Sequence, residues 1–231
     1  MDRTGPAEAL AEQYRDAANL KARIQLYRFG TRAEPWQRWV FDRIEAPPDA
    51  RLLELGCGPG RLWVENADRI PAGWRVTLAD LSAGMLREAR ESLRDAPHSF
   101  AYVQADAQSI PFTDGSFDAV VANHMIYHIP DKPKAFSEIR RVLRPGGRLY
   151  AATNGAPNWP ELAELAELAE RFDPSLRRQA RALSAGGSLL GSATFSLENG
   201  HEQLQPFFSD VHVLRPEPGV IRLTEPEPLI E

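Results

Sequence analysis

The chain has 231 residues, of which 43% are hydrophobic and 26% are charged, and its formal net charge at pH 7 is −5. These values are typical of one folded domain and exclude disordered and collagen-like chains. The acidic balance argues against nucleic acid as the main partner, because proteins that bind phosphate backbones usually carry a basic excess. The single cysteine excludes an internal disulfide and a cysteine-based metal cluster.

No apolar run approaches the 18 residues or so that a membrane-spanning helix needs, so no membrane partner is predicted. The first 20 residues contain acidic and polar side chains where a signal peptide has a basic start and an apolar core. The sequence therefore predicts a cytoplasmic protein.

Residues 1–46 are predicted to form an N-terminal helical cap. Ala, Leu, Glu, Arg and Gln dominate residues 7–28, and Gly30 then breaks this helical pattern. A second helix is predicted from about Pro35 and ends before Pro47. Its apolar residues recur at helical spacing: Trp36, Trp39, Val40 and Ile44.

Residues 50–153 alternate between short apolar runs and amphipathic stretches. Strands are predicted at 51–55, 75–79, 100–104, 117–122 and 148–153. Helices are predicted at 61–70, 82–94 and 134–143. This alternation is typical of a doubly wound α/β fold with a mostly parallel sheet.

Residues 156–195 depart from this alternation and are predicted to form a helical lid. Asn158 is suited to cap a helix over 158–172, with Glu161 reaching back to it. Residues 184–194 are rich in serine, glycine and alanine, and this composition indicates a hinge or gate.

Residues 196–231 are predicted to contain one helix at 197–208 and two final strands at 211–214 and 220–224. These strands are too close in sequence for a parallel crossover, so they are expected to form an antiparallel hairpin. The chain is therefore predicted to be a single domain, 1–231, with a seven-stranded sheet.

A glycine-rich loop follows the first predicted strand, with glycines at 56, 58 and 60. Glycine lets the backbone turn sharply and approach a ligand closely. A dinucleotide site would have the pattern G-x-G-x-x-G, but the sixth position is Arg61 counted from Gly56 and Trp63 counted from Gly58. A ligand-binding loop and a purely structural turn both remain open from this loop alone.

Five features of residues 50–153, in order and spacing, resemble the class I S-adenosylmethionine-dependent methyltransferases. The first is Glu54-x-Gly56-x-Gly58-x-Gly60, and Asp80 and Asp106 then follow the second and third strands. The other two are the segments that lead into the fourth and fifth strands: Ile110-Pro111-Phe112-x-x-Gly115-Ser116-Phe117-Asp118 and Leu143-Arg144-Pro145-Gly146-Gly147.

The resemblance implies that the cofactor is S-adenosylmethionine and that 50–153 is the core that binds it. Asp80 would bind the ribose hydroxyls, Asp106 would meet the adenine amino group, and Glu54 would lie near the amino-acid end of the cofactor. The full set of cofactor-binding residues that it implies is Glu54, Gly56, Cys57, Gly58, Gly60, Asp80, Leu81, Met85, Asp106, Ala107, Asn123, His124 and Tyr14.

Other interpretations stay open for several of these residues. Asp80 would serve equally as a cap for the following helix, and Asp106 as an ordinary loop carboxylate. Glu54 is also suited to a structural salt bridge, because a buried acid without a partner is costly. Cys57 has no histidine nearby in sequence, so we interpret it as structural rather than nucleophilic.

Ligands of open α/β sheets bind at the carboxyl ends of the strands, and the fourth predicted strand leads into residues 122–130. The resemblance implies that Asn123 and His124 lie beside the cofactor and that the residues after them face the acceptor. Methyl transfer is an in-line displacement from a good leaving group, so alignment of the acceptor is the main task. His124 and His128 are the candidate catalytic bases, with ordinary packing as the alternative for each. No third metal ligand accompanies them, so no metal site is predicted.

The pocket roof is predicted to come from the N-terminal helices and from 156–195. Candidate roof residues are Tyr14, Arg23, Tyr27, Arg28 and Trp36. The predicted function is methyl transfer from S-adenosylmethionine to a small-molecule acceptor. One alternative is a protein that binds S-adenosylmethionine without transferring the methyl group, and a weaker one is a nicotinamide-dependent reductase.

Overall fold

The computed structural model describes residues 34–155 and 194–215. The predicted helices at 7–28 and 158–172, the strand at 220–224, and nearly all of the lid and hinge lie outside these ranges. So do four of the roof residues, Tyr14, Arg23, Tyr27 and Arg28.

The described residues contain a five-stranded, fully parallel sheet in the order β3-β2-β1-β4-β5. The strands are β1 (Arg51–Leu55), β2 (Arg75–Asp80), β3 (Phe100–Gln104), β4 (Phe117–Asn123) and β5 (Leu143–Ala152). Each overlaps one of the five core strands predicted from the alternation. The α/β parallel architecture is therefore confirmed, with five strands observed where seven were predicted.

The strand order reverses direction between β1 and β4. The chain runs outward from β1 through β2 to β3, then crosses back to β4 on the other side of β1. The crossings leave a crevice beyond the carboxyl ends of β1 and β4, where open α/β sheets bind their ligands. The glycine loop follows β1, and His124 follows β4, so both meet at this crevice.

Helices cover both faces of the sheet. They are α1 (Trp36–Phe41), α2 (Arg61–Val64), α3 (Ala83–Ser92), α4 (Lys132–Val142) and α5 (Gly200–Leu204), with a 3₁₀ turn at Ile126–His128. Alternate residues of β1 and β4 enter opposite cores: Leu53 and Val120 pack under α4, whereas Leu52 and Val121 pack under α1, α2 and α3. No helix in the described ranges is long and apolar enough to cross a bilayer.

Two predicted helices are shorter in the structure. The helix predicted at 61–70 ends at Val64, because the Asn66 side chain donates to the Leu62 carbonyl at 2.8 Å and takes the place of a backbone donor. The helix predicted at 197–208 is confined to Gly200–Leu204. Pro206 has no backbone N–H and cannot continue the helical hydrogen bonds.

The strand predicted at 211–214 is wrong. Residues 211–215 have no regular secondary structure, and Val213 and Leu214 are largely exposed. Their β-branched and apolar character favoured a strand, but β-propensity has little effect without a neighbouring strand to pair with. No hairpin is therefore observed in the described part of the chain.

The segment before β4 is held by a single arginine of α4. Arg141 donates to the carbonyl oxygens of Ile110 and Phe112, at 3.0 and 2.7 Å, and also bonds Glu138 and Asp114. Glu138 in turn accepts from the Ile110 backbone N–H at 2.9 Å. This network gives the 110–118 motif a structural role that supports the start of β4.

Candidate cofactor and acceptor site

The three glycines of the loop all adopt left-handed backbone conformations, with φ angles of +63°, +53° and +75° at Gly56, Gly58 and Gly60. At two of them a side chain would also be crowded by its neighbours. A Cβ on Gly56 would lie 2.7 Å from the Cβ of Met125, and one on Gly60 would lie 3.0 Å from Leu93. The loop therefore packs directly against the segment that follows β4.

Asp80 links this loop to the end of β2. One carboxylate oxygen accepts from the Gly58 backbone N–H at 2.9 Å, and the other accepts from the Ser82 N–H at 2.8 Å. The N-cap of α3 is Ser82 rather than Asp80, since the Ser82 hydroxyl accepts from the Met85 N–H. Each carboxylate oxygen keeps a second lone pair, so Asp80 retains the capacity to accept from ribose hydroxyls.

Glu54 is buried in β1, with 2% of its surface exposed. Its partner is the indole N–H of Trp63, which donates to Oε2 at 2.7 Å. Burial raises the pKa of Glu54 to about 8, and the nearby Asp80 charge adds to the rise. The salt bridge that the sequence left open is thus replaced by a hydrogen bond from an aromatic donor, which the sequence did not predict.

We expect the Glu54 carboxyl to make stability fall as pH rises. Its pKa is about 8 when folded against an ordinary 4.5, so between these pH values the folded state holds a proton that the unfolded state has lost. The free energy of unfolding then decreases across this window. Glu54→Gln removes the dependence and keeps an acceptor for Trp63, so the variant should be more stable than wild type by on the order of 4 kcal/mol at pH 8.

Denaturant unfolding of the cofactor-free protein at several pH values between 5 and 8 measures this effect. Glu91→Gln is the matched control, because Glu91 is exposed and makes a surface ion pair with Arg94. The free energy of unfolding should depend less on pH in Glu54→Gln than in wild type. In Glu91→Gln it should depend on pH as it does in wild type. Parallel curves for all three proteins would contradict the buried, protonated state of Glu54.

Cys57 is buried within the loop, and its backbone N–H donates to the Ala79 carbonyl at 3.0 Å. Burial, together with the neighbouring Glu54 and Asp80, raises the pKa of the thiol well above its ordinary value. A thiol that keeps its proton is a poor nucleophile. This geometry agrees with the structural interpretation of Cys57.

The residues implied for adenine lie at the ends of β2 and β3. Asp106 accepts from the backbone and side-chain amides of Gln108, at 2.8 and 3.1 Å, and so organises its own turn. Leu81 is 62% exposed and offers apolar surface directly after Asp80, whereas Met85 and Ala107 are buried. Of the residues implied here, Leu81 is therefore the more accessible to a ligand and Met85 the less accessible.

Asn123 ends β4, and its side chain is bonded to helix α1. Its oxygen accepts from the Trp36 indole N–H at 3.4 Å, and its amide donates to the Gln37 side chain at 3.2 Å. Trp36 was among the predicted roof residues, but Gln37 was not predicted. Helix α1 thus reaches the carboxyl end of β4, as a roof over the site requires.

The two candidate catalytic histidines differ in environment. His124 has a φ of +56°, its N–H donates to the Ala152 carbonyl, and burial lowers the pKa of its imidazole to about 4. His124 is therefore neutral at physiological pH and a weak base. The ring of His128 lies 4.4 Å from that of Tyr127 in an edge-to-face arrangement. In the described ranges no three His, Cys, Asp or Glu side chains form a metal site.

The family and the curated relatives that match this chain are methyltransferases. Residues 53–151 match a family described as "Methyltransferase domain". The chain is 36% identical over 124 residues to the ubiquinone/menaquinone biosynthesis C-methyltransferase UbiE of Vibrio cholerae, which is 53% of this chain and 48% of that protein. It is 35% identical over 131 residues to the same-named protein of Hahella chejuensis, covering 56% and 53%.

The chain therefore spans about half the length of the curated relatives it matches. Among solved structures it matches a chain of the complex that contains the Trm112 methyltransferase activator of Haloferax volcanii. That match has a TM-score of 0.57 at 22% identity and covers 82% of this chain and 73% of the other. At this identity the likeness is one of fold alone.

Proposed function

We propose that this chain, whose residues 53–151 form a methyltransferase domain of the class I S-adenosylmethionine-dependent type, transfers a methyl group to a small-molecule acceptor. The family resemblance inferred from the five sequence features is confirmed by the family match and by the UbiE relatives. The cofactor is S-adenosyl-L-methionine. One observation carries the proposal: Asp80 joins the glycine loop to the end of β2 at the crevice where the strand order reverses.

The charges at this crevice support a cationic cofactor without phosphates. Asp80 is bonded to the glycine loop, so its carboxylate would lie close to any pyrophosphate held there, whereas Glu54 keeps its proton at neutral pH and carries no charge. S-adenosylmethionine instead carries a positive sulfonium and an ammonium group, together with ribose hydroxyls that a carboxylate accepts well. The missing G-x-G-x-x-G pattern therefore disfavours a reductase, and the Asp80 carboxylate suits S-adenosylmethionine.

We assign roles to the residues on these grounds. Asp80 accepts from the ribose hydroxyls, Leu81 covers the adenine with Asp106 at its edge, and Glu54 faces the amino-acid end. When bound, S-adenosylmethionine supplies an activated methyl group. The protein aligns an acceptor for in-line attack and keeps water away, and that alignment accounts for most of the acceleration.

The acceptor's proton leaves to water or to His128. With its lowered pKa, His124 is better suited to contact the acceptor than to act as the base. The UbiE relatives are named C-methyltransferases, so carbon is the first acceptor atom to test. A cytoplasmic location and the exclusion of nucleic acid as a partner stay predictions.

Two measurements on the full chain test the proposal. Calorimetric titration should detect binding of S-adenosylhomocysteine and none of a reduced nicotinamide dinucleotide. Incubation with methyl-labelled S-adenosylmethionine and a panel of uncharged ring compounds should then release S-adenosylhomocysteine with an equal amount of labelled product. Binding without release across the panel would favour the alternative of a binding protein, and no binding by folded protein would refute the proposal.

A further inference from the structure

Four side chains form a row of ring contacts that runs from helix α1 and the turn after it to the end of β4, stacked at Trp36 and Trp39 and tilted by 49° between Trp36 and His124. The guanidinium of Arg43 lies 3.7 Å from the ring centroid of Trp39, and Trp39 stacks on Trp36 at 5.3 Å with an interplanar angle of 15°. The Trp36 ring in turn lies 5.2 Å from the imidazole of His124. We call these four residues, Arg43, Trp39, Trp36 and His124, the aromatic column.

The column is unlike ordinary core packing. Trp36, Trp39 and His124 all remain partly exposed, whereas the neighbouring Val40 and Phe41 are buried. Large, rigid aromatic side chains that keep accessible surface are typical of ligand sites, because they offer contact area at little cost in conformational entropy. The column therefore has surface available for a ligand at the crevice.

The His124 end of the column is held in place from two directions. Its left-handed backbone, with φ at +56°, is stabilised by the hydrogen bond from its N–H to Ala152. Trp36 is oriented by the bond from its indole N–H to Asn123, the residue that precedes His124. A non-glycine residue kept in a strained conformation by its surroundings is a feature of functional sites.

Among the residues that the structure describes, none at the crevice end of the column is ionised at neutral pH. Trp36, Asn123 and Met125 are uncharged by nature, and His124 is neutral because burial lowers its pKa. Met125 also packs against Gly56, so this end of the column adjoins the loop assigned to the cofactor. An acceptor with a carboxylate or phosphate would lose its hydration here without gaining a cationic partner from residues 34–155 or 194–215.

We infer that the aromatic column is a wall of the acceptor site, where it selects an uncharged acceptor with a planar ring that packs against the imidazole of His124. This inference rests on the proposed methyl transfer, which supplies the acceptor. His124 is then a contact that determines specificity, and Trp36 is the residue that positions it. Asn123 contributes to this specificity indirectly, by orienting Trp36.

Three probes of similar size separate shape from charge: naphthol is planar and uncharged, naphthoate is planar and anionic, and decahydronaphthol is uncharged but not planar. Each is titrated into the full chain saturated with S-adenosylhomocysteine, so that differences in cofactor affinity do not enter the result. Naphthol should bind at least about tenfold more tightly than either of the other probes, because only naphthol gains stacking without burying a charge.

Variants of the column test which residues cause this selectivity. His124→Asn removes the ring while tolerating the left-handed backbone, and Trp36→Leu removes the second ring. Each should reduce the preference for naphthol over decahydronaphthol to about threefold or less, whereas Trp36→Phe should retain most of it. His212→Asn is the matched control, since His212 is exposed and paired with Asp210 outside the column.

The outcomes are distinct. Equal affinity for the three probes, or an unchanged preference in both His124→Asn and Trp36→Leu, would overturn the inference while leaving the proposed function intact. Failure of the wild-type chain to bind S-adenosylhomocysteine would instead refute the proposed function. If Trp36→Leu does not fold, His124→Asn and Trp36→Phe still decide the question, because the first should lose the preference and the second should keep it.

Discussion

Replacing Gly56 by alanine should destabilise the protein and abolish most of its cofactor binding. The new Cβ would lie 2.7 Å from the Met125 Cβ, and the backbone there has a φ of +63°. The left-handed conformation costs a non-glycine residue roughly 1–2 kcal/mol, and forcing an extra methyl into packed surroundings costs about 1–3 kcal/mol more. We expect the free energy of unfolding to fall by about 2–5 kcal/mol.

The functional effect should be larger than the loss of stability alone explains. Relief of the contact must move either the glycine loop or residues 123–125, and both belong to the proposed site. A displacement of the order of 1 Å at a reacting centre lowers activity by about a hundredfold. Calorimetric titration with S-adenosylhomocysteine and methyl transfer by the folded variant measure the two consequences.

Gly146→Ala is the matched control for backbone strain. Gly146 has a φ of +78°, but a Cβ there would meet nothing within 4 Å. Its free energy of unfolding should therefore fall only by the cost of the left-handed conformation, and Gly146→Ala should bind the cofactor as wild type does. If Gly56→Ala were as stable as Gly146→Ala and bound the cofactor equally well, the close contact between the loop and Met125 would not exist in solution.

Asp80→Ala should weaken binding of S-adenosylhomocysteine by ten- to over a hundredfold. The charged hydrogen bonds that the carboxylate offers to the ribose are worth about 1.5–3 kcal/mol. The variant also frees the backbone N–H groups of Gly58 and Ser82, which Asp80 holds at 2.9 and 2.8 Å. Calorimetric titration at pH 7.5 gives the dissociation constant for comparison with wild type.

Asp95→Ala serves as the control for the loss of one negative charge, because Asp95 is exposed and pairs only with Arg94 among the described residues. It should leave the affinity for S-adenosylhomocysteine unchanged. Asp80→Ala should also lower the pKa of Glu54, since the Asp80 charge contributes to its rise. Unchanged affinity in folded Asp80→Ala would show that the carboxylate supports the loop without touching the ribose.

The sequence predicted the core of this molecule from local signals. The alternation over 50–153 placed all five described strands, because each strand is a short apolar run and each helix has a periodic apolar face. The spacing of Gly56, Gly58 and Gly60 predicted the turn, and their positive φ angles explain why glycine is needed there. These features depend on a few neighbouring residues, so a single sequence is sufficient to reveal them.

Predictions from local sequence patterns were wrong where contacts with other segments of the chain decide the structure. Residues 211–214 have the composition of a strand but form none in the structure, and no strand of the described residues lies beside them. A strand needs a partner, and the predicted one at 220–224 lies outside the described residues. The helix after Gly60 ends early because the Asn66 side chain takes the Leu62 carbonyl. Asn66 is visible in the sequence, but whether its side chain bonds the Leu62 carbonyl depends on the packing of α1 against α2. The same amide also donates to the Gln37 carbonyl of α1.

The sequence by itself determined the α/β fold class, the glycine loop and the carboxylates at the carboxyl ends of β1, β2 and β3, because these are set by periodicity and by position along the strands. The tertiary structure alone decided what those residues contact. Glu54 meets the Trp63 indole, Gly56 meets Met125, and Asn123 meets Trp36 and Gln37 across more than 80 residues of chain. Such contacts arise from the packing of whole elements around the reversal in strand order, so no local pattern in the sequence encodes them.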